Sequence, residues 1–124
     1  MKILSIHCDY IKFRPLKKAI KNPEEIESKD LVEVKDPLGI FIAVEKSDEG
    51  SSKEIVDALI ENILDLKEKV RAKDIVLYPY AHLSSNLSSP DFAHSVITDA
   101  EKQLKKKKIN THRAPFGYYK EFEL

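Results

Sequence analysis

The chain has 124 residues, a length that predicts one domain over residues 1–124 with a single hydrophobic core. Its 21 basic and 21 acidic residues give a formal net charge of zero, which excludes a global positive field that attracts nucleic acid. The one cysteine, Cys8, excludes an internal disulfide and fits a reducing cytoplasm, and no apolar run approaches the roughly 20 residues of a membrane span.

The first third of the chain predicts one strand followed by irregular structure. Lys2 to Phe13 mixes continuous and alternating apolar residues, which predicts a strand near the centre of a sheet. Arg14 and Pro15 are expected to break that strand. Leu16 to Glu27 favours a turn followed by an edge strand, and the charged stretch from Ser28 to Pro37 predicts a loop.

The middle of the chain predicts a strand and a long helix. Pro37 to Glu45 is apolar enough for a strand, in which Gly39 indicates a bulge or a close backbone approach. Ser51 stands three residues before Glu54, which is the spacing of a capping box. An amphipathic helix is then predicted to about Val70. Its apolar residues recur at helical spacing, at Ile55, Val56, Leu59, Ile60, Ile63, Leu64 and Leu66.

A buried strand and a second helix come next. The apolar run from Ile75 to Tyr78 predicts a strand that ends at Pro79, because proline cannot donate a hydrogen bond to a sheet. Ser89 suits the N-cap of a helix, and Pro90 suits its first position. The apolar side of this helix carries Phe92, Ala93, Val96, Ile97, Ala100 and Leu104.

The end of the chain predicts a last strand. From Ile109 a short link leads to Gly117, which is typical of a turn. Tyr118 to Leu124 then predicts the strand. The predicted fold class is α/β, a mixed β-sheet with two main helices that cover one or both of its faces.

Polar residues follow the buried strand at the place where ligands bind in open α/β sheets. His82 lies just beyond this strand, together with the hydroxyls of Ser84 and Ser85. A histidine can move protons near neutral pH, and Lys120 could orient water or stabilise an oxyanion. The plain alternatives are a loop histidine and a charge on the surface of a strand.

Other chemistries have weak support. The histidines show no metal-ligand spacing, and the three glycines form no phosphate loop, so no metal and no cofactor are expected. Cys8 is expected in the middle of a strand, where a small core residue is commoner than a nucleophile. Lys105 to Lys108 is expected to be a solvated helix end that can also contact phosphates.

Four motifs occur in an order and at separations that are similar to those of one family. They are Ile6 to Tyr10, Phe41 to Lys46, Tyr78 to Ser85 and Ala114 to Lys120. Either of the last two alone is weak, but the two together are specific. The chain resembles the N-terminal editing domain of archaeal-type threonyl-tRNA synthetases, and the resemblance covers essentially all of it.

This resemblance implies a D-aminoacyl-tRNA deacylase-like fold, a homodimer, and an ester hydrolase that removes L-serine from mischarged threonine tRNA. His82, Tyr119 and Lys120 match the family's polar residues around the scissile ester and its water. The terminal ribose hydroxyl of the tRNA is implied to assist, and backbone groups of residues 79–81 are implied to hold the amino acid. The matching positions for the seryl-adenosine pocket are Val44, Pro79, Tyr80, Ala81 and Phe116.

The resemblance also implies partners and leaves alternatives open. The expected partners are tRNA(Thr) carrying serine and the remainder of the synthetase, with no membrane. The family has an acidic pocket residue beyond the final strand, and Leu124 ends the sequence before any counterpart. The pocket is therefore expected to lack it, or the sequence to be shortened. The alternatives are a D-aminoacyl-tRNA deacylase and a non-catalytic module for tRNA binding or dimerisation.

Overall fold

The computed structural model describes all 124 residues and has a mixed α/β fold with two main helices, as predicted. Two short 3₁₀ turns, Lys46–Asp48 and Ala81–Leu83, follow the fourth and fifth strands. The strands and helices are, in chain order, β1 (Lys2–His7), β2 (Tyr10–Lys18), β3 (Val32–Lys35), β4 (Pro37–Ala43), α1 (Ser52–Val70), β5 (Asp74–Pro79), α2 (Pro90–Lys106), β6 (Asn110–Arg113) and β7 (Tyr118–Glu123).

The strands form two sheets rather than one. The larger sheet has the order β1-β4-β5-β6, with β4, β5 and β6 parallel and β1 antiparallel to β4. The smaller sheet is antiparallel and has the order β3-β2-β7. The carboxyl ends of β4 and β5 therefore lie side by side at one edge of the larger sheet.

The larger sheet lies between the helices and the smaller sheet, and its alternating side chains face the two layers. Ile40 and Ile42 of β4 pack in a core cluster with residues of α1 and α2. Phe41 of the same strand packs in a second cluster with Ile11 and Phe13 of β2. Burial of each such side chain stabilises the fold by about 1.5–3 kcal/mol, so both faces of β4 are held.

The single strand predicted over Lys2 to Phe13 is wrong in its centre. The chain leaves the larger sheet at Cys8 and enters the smaller sheet at Tyr10, so Cys8 lies between two strands and is half-buried. A second crossing runs beside the first, where Asp36 has a φ of 52° and its N–H donates to the Asp9 carbonyl at 2.7 Å. The chain therefore passes between the two sheets at two adjacent places, once from β1 to β2 and once from β3 to β4.

The predicted break at Arg14 and Pro15 is also wrong, because β2 continues through Pro15 to Lys18. The register with β7 shifts between Pro15 and Lys18, and such an irregularity tolerates a proline. The edge strand predicted within Leu16 to Glu27 is absent, since residues after Lys18 form turns and irregular backbone.

Two short strands were missed. β3 lies inside the stretch that predicts a loop, and β6 lies inside the link that starts at Ile109. Both are edge strands, β6 is polar, and only Val34 of β3 is buried. Each of them is stabilised by pairing with a neighbouring strand, and this pairing cannot be predicted from the local sequence.

The helices lie where the pattern predicts them, with one difference at a cap. Ser51 is the N-cap of α1, but its side chain makes no cap hydrogen bond, so the capping box with Glu54 is wrong. The Ser89 hydroxyl accepts from the Phe92 N–H at 3.3 Å, which confirms the predicted start of α2. Gly39 pairs in register with Ile6, and the strand has no bulge there. Neither helix combines the length and apolar character needed to cross a bilayer.

Candidate functional site

A cavity of about 360 Å³ opens at the carboxyl ends of β4 and β5. One wall is the stretch from Tyr78 to His82, which ends β5 and continues into the 3₁₀ turn. The opposite wall is the stretch from Phe116 to Lys120, which leads into β7. Val44 and the first turns of α2 complete it. Because β7 belongs to the smaller sheet, packing of the two sheets brings the two walls together.

All eight residues assigned to the site by resemblance line this one cavity. Three of them are the polar residues His82, Tyr119 and Lys120. The other five are Val44, Pro79, Tyr80, Ala81 and Phe116. His82 and Lys120 therefore border the same cavity.

Backbone hydrogen bonds fix the wall after β5. The Tyr80 N–H donates to the Ile42 carbonyl at 2.8 Å, so this donor is not free for a ligand. The carbonyls of Tyr80 and Ala81 each accept from the N–H group three residues further along, at Leu83 over 3.3 Å and at Ser84 over 3.2 Å. Each carbonyl oxygen has a second lone pair, which can accept from an ammonium group.

Aromatic rings surround the polar groups. Tyr78 packs against Phe41 with 5.0 Å between ring centroids and against Phe122 with 5.3 Å. Tyr80 contacts the His82 ring at 5.3 Å. Burial raises the pKa of Tyr78, so this phenol stays neutral over the ordinary pH range. Electrostatic interactions are stronger beside such a wall than in water.

Lys120 is a half-buried amine against this aromatic wall. Its Nζ donates to the carbonyls of Pro115 at 3.0 Å and Tyr118 at 3.1 Å, and it lies 5.2 Å from the Tyr78 ring centroid. Burial lowers the pKa of Lys120 to about 8, and the charge of Glu24 opposes this change. Lys120 is therefore a group that changes charge within two pH units of neutrality.

His82 and Tyr119 lie at the mouth of the cavity. The His82 side chain is exposed, and Tyr119 is 52% exposed. The two residues can therefore reach a bound substrate from the solvent side, whereas Lys120 approaches from the protein side.

Glu24, which was not among the predicted site residues, holds the Phe116 wall from behind. Its carboxylate accepts from the Phe116 N–H at 2.6 Å and forms a two-point ion pair with Arg113. Its backbone carbonyl accepts from the Tyr118 hydroxyl at 2.8 Å. Arg113 also pairs with Glu101 at 2.9 Å, so α2 is joined to the same network. Glu24 lies in irregular, highly charged sequence, where no local pattern distinguishes it.

His94 supports the same wall. Its ring stacks on Phe116 with 5.4 Å between centroids, and its Nε2 lies 3.6 Å from the Glu24 carboxylate. Its side chain is half-buried. Phe116 is thus held by a ring on one side and by Glu24 at its N–H.

Gly117 forms the predicted turn and also permits a close contact. Its φ is +88°, a backbone conformation that side chains disfavour. A Cβ atom there would lie 2.7 Å from the Cβ of Pro23, so only glycine fits. The contact joins the segment before Glu24 to the cavity wall.

Metal-ligating side chains do not cluster anywhere in the molecule. No group of three or more His, Cys, Asp or Glu side chains is placed to hold a metal ion. His112 contacts Asp74 at 2.9 Å and His7 contacts Asp36 at 2.8 Å, and each is an isolated pair.

Known proteins similar to this chain give a consistent result. A family model described as the archaea-specific editing domain of threonyl-tRNA synthetase matches residues 1–124. The threonine–tRNA ligases of Thermococcus onnurineus and Methanobrevibacter smithii are 42% and 45% identical to the chain over its whole length. The threonine–tRNA ligase editing subunit of Saccharolobus solfataricus is 45% identical over the whole chain.

These relatives are longer than the chain. It spans 20% of each of the two ligases and 31% of the editing subunit. Since the family model covers every residue, the chain belongs to the family of archaeal editing domains of threonyl-tRNA synthetases.

Proposed function

We propose that residues 1–124 form a single editing domain that hydrolyses the ester between L-serine and the terminal ribose of mischarged tRNA(Thr). The observation that carries this proposal is the convergence of all eight family-matched residues on one cavity. Its volume of about 360 Å³ is within the range of small-molecule sites, which is roughly 300–1,000 Å³. Membership of the editing-domain family supports the same reaction class.

In the proposed reaction, water attacks the carbonyl carbon of the ester and the bond to the ribose oxygen breaks. The products are free serine and the ribose hydroxyl. Lys120 stabilises the oxyanion or orients the water, and His82 and Tyr119 contact the same reacting groups from the cavity mouth. The neighbouring ribose hydroxyl assists the attack, so the protein mainly positions the ester and excludes bulk water.

The pocket residues hold the aminoacylated nucleotide. The carbonyls of Tyr80 and Ala81 each have a lone pair beyond the backbone bond, which can accept from the α-ammonium of serine. Val44, Pro79 and Phe116 supply apolar surface for the seryl-adenosine group.

A second hydrolytic site is needed because serine and threonine are hard to separate by binding. They differ by one methyl group, which is worth only about 1–3 kcal/mol of discrimination. We expect the extra methyl of threonine to displace the attacking water or to misalign the ester in this cavity. Serine would then be removed and threonine spared.

The proposed assembly contains two copies of this domain and the remainder of a threonyl-tRNA synthetase. The Saccharolobus solfataricus relative is named an editing subunit, which supports a role beside an aminoacylating protein. Sedimentation of the chain at micromolar concentration tests the homodimer, and a monomer at all concentrations would contradict it.

The experiment for the reaction is loss of labelled serine from L-seryl-tRNA(Thr) with the 124-residue chain. Hydrolysis well above the rate in buffer is the expected result. D-seryl-tRNA(Thr) is run in parallel, because preference for it would assign a D-aminoacyl-tRNA deacylase instead. Binding of the tRNA without hydrolysis of either ester would contradict the proposed enzyme activity and favour a non-catalytic tRNA-binding module.

A further inference from the structure

The segment from Tyr10 to Pro23 carries an excess of positive charge. It contains five basic residues and no acidic one, in a chain whose net charge is zero. The five residues are Lys12, Arg14, Lys17, Lys18 and Lys21. A local excess of this kind can bind a polyanion even when the whole molecule has no net field.

Only two of these five charges are neutralised within the protein. Lys12 pairs with Glu33 at 3.4 Å, and Arg14 pairs with Glu121. Lys17, Lys18 and Lys21 take part in no ion pair, and all three side chains are exposed. Three uncompensated ammonium groups therefore occupy one short segment.

These three lysines flank two residues that line the cavity. Ala19 and Ile20, which separate Lys18 from Lys21, both line the cavity, and the Ala19 N–H donates to the Gly117 carbonyl at 2.8 Å. Lys18 is paired in register with Tyr118 at the start of β7. The cavity wall and the lysines are therefore parts of one continuous segment.

An exposed aromatic ring lies beside the lysines. The Lys17 ammonium is 5.5 Å from the ring centroid of Tyr119, which lines the cavity and is 52% exposed. Cationic groups that follow a backbone, next to rings on which bases stack, are the usual elements of single-stranded nucleic-acid sites. The geometry matches a strand that enters the cavity by its end.

We propose that Lys17, Lys18 and Lys21 form a cationic rim that binds the backbone phosphates of the single-stranded 3′ end of the substrate RNA. This rests on the proposed function, in which the aminoacylated terminal nucleotide occupies the cavity. The phosphates of the preceding nucleotides must then pass the mouth of the cavity. The three exposed ammonium groups lie on that path.

The other basic run, Lys105 to Lys108, is in the wrong place for this role. The cavity contacts α2 at Pro90, Ala93 and Ile97, near its start. At 1.5 Å per residue, Lys106 lies about 14 Å beyond Ile97 along the helix. Lys105 is also paired with Glu101 at 3.1 Å. This run therefore provides a matched control with the same charge.

The test replaces all three rim lysines, as Lys17→Gln, Lys18→Gln and Lys21→Gln, in the 124-residue chain. The probe is an RNA hairpin of the acceptor stem that has its unpaired 3′ end and carries no amino acid. Its Kd is measured from 50 to 200 mM salt. At about 0.7 counterions per phosphate of a single strand, the slope of log Kd against log salt should fall by about 2. The affinity at the lower salt should fall about tenfold or more.

The control replaces Lys106, Lys107 and Lys108 by glutamine, and its Kd and salt slope should match those of the parent. A Lys→Arg variant at the three rim positions keeps the charge and should restore binding. An unchanged slope in the glutamine rim variant, or an equal loss in the control, would overturn the rim.

Hydrolysis of 3′-O-seryl-adenosine separates the rim from the proposed function. This ester has no phosphate, so the rim variant should hydrolyse it at the parental rate, which also shows that the variant folds. If the parent hydrolyses neither this ester nor seryl-tRNA, the proposed function fails, while the binding measurements still decide the rim. A rim variant that loses hydrolysis of the phosphate-free ester would place the lysines in the cavity and contradict the proposal.

Discussion

Lys120 lies in an environment that differs strongly from that of an ordinary surface lysine. It is half-buried against the Tyr78 ring, and its Nζ donates to two backbone carbonyls. Burial lowers its pKa to about 8 from the model-peptide value of 10.5. With a pKa in this range, the charged amine predominates at pH 7 and the neutral amine is also populated.

Lys120→Met should change the pH dependence of stability. The folded-state pKa is below the unfolded one, so burial of the charged amine costs stability fully below pH 8. That cost disappears as the pH rises from about 8 to 10.5. The parent gains this stability and the methionine variant does not, so the unfolding free energy of the variant relative to the parent should fall by on the order of 3 kcal/mol across this window. Urea unfolding of both proteins at pH 7 and pH 10.5 measures this, and a difference that is constant with pH would contradict the burial.

Lys120→Met should also reduce hydrolysis more than RNA binding. Loss of an oxyanion donor or water-orienting group lowers the rate by about 10²-fold, whereas the buried amine is not part of the cationic rim. Single-turnover deacylation and a parallel Kd measurement separate the two effects. If this variant and His82→Ala both kept full activity, both side chains would only pack, and catalysis would belong to the ribose hydroxyl.

Glu24→Gln should loosen the Phe116 wall. The amide can still accept from the Phe116 N–H, but it loses the charge that pairs with Arg113. Arg113 keeps Glu101, so the expected loss in unfolding free energy is about 2 kcal/mol rather than that of a fully unpaired charge. Glu25→Gln, at an exposed neighbour, should change stability by less than about 0.5 kcal/mol. Equal effects of the two substitutions on unfolding free energy would contradict a role of Glu24 in stabilising the wall.

At the scale of elements, the turn before β7 depends on Gly117 for two separate reasons. Gly117→Ala meets both the positive φ and the 2.7 Å approach to Pro23. Gly50→Ala has almost the same φ, +89°, but open space around the new Cβ. In urea unfolding, the Gly117 variant should therefore lose about 1–3 kcal/mol more unfolding free energy than the Gly50 variant. Similar losses would mean that the Pro23 contact yields easily.

Elements with a strong period could be predicted from the sequence, and short paired strands could not. α1 and α2 each bury a stripe at helical spacing, and β5 is a buried apolar run between clear breaks. β3 and β6 are four residues each and lie at sheet edges, so pairing rather than composition determines them. The crossing at Cys8 was hidden because apolar residues continue on both sides of it.

At the scale of the whole molecule, the site is formed where the two sheets meet. Resemblance to a family was needed to group Val44, Tyr80 and Phe116, which are far apart in the chain. Their meeting in one cavity depends on the smaller sheet. The sequence pattern predicted only one sheet and did not separate the smaller from the larger. Glu24 and the cationic rim were missed because their significance depends on what lies next to them in space.

The central claim is that this cavity removes L-serine from tRNA(Thr) and spares L-threonine. The most direct measurement compares single-turnover hydrolysis of L-seryl-tRNA(Thr) and L-threonyl-tRNA(Thr) by the 124-residue chain. A methyl group that displaces water or misaligns the ester should slow the threonyl ester by at least about tenfold. Equal rates for the two esters, or no hydrolysis of the seryl ester above the rate in buffer, would contradict the claim.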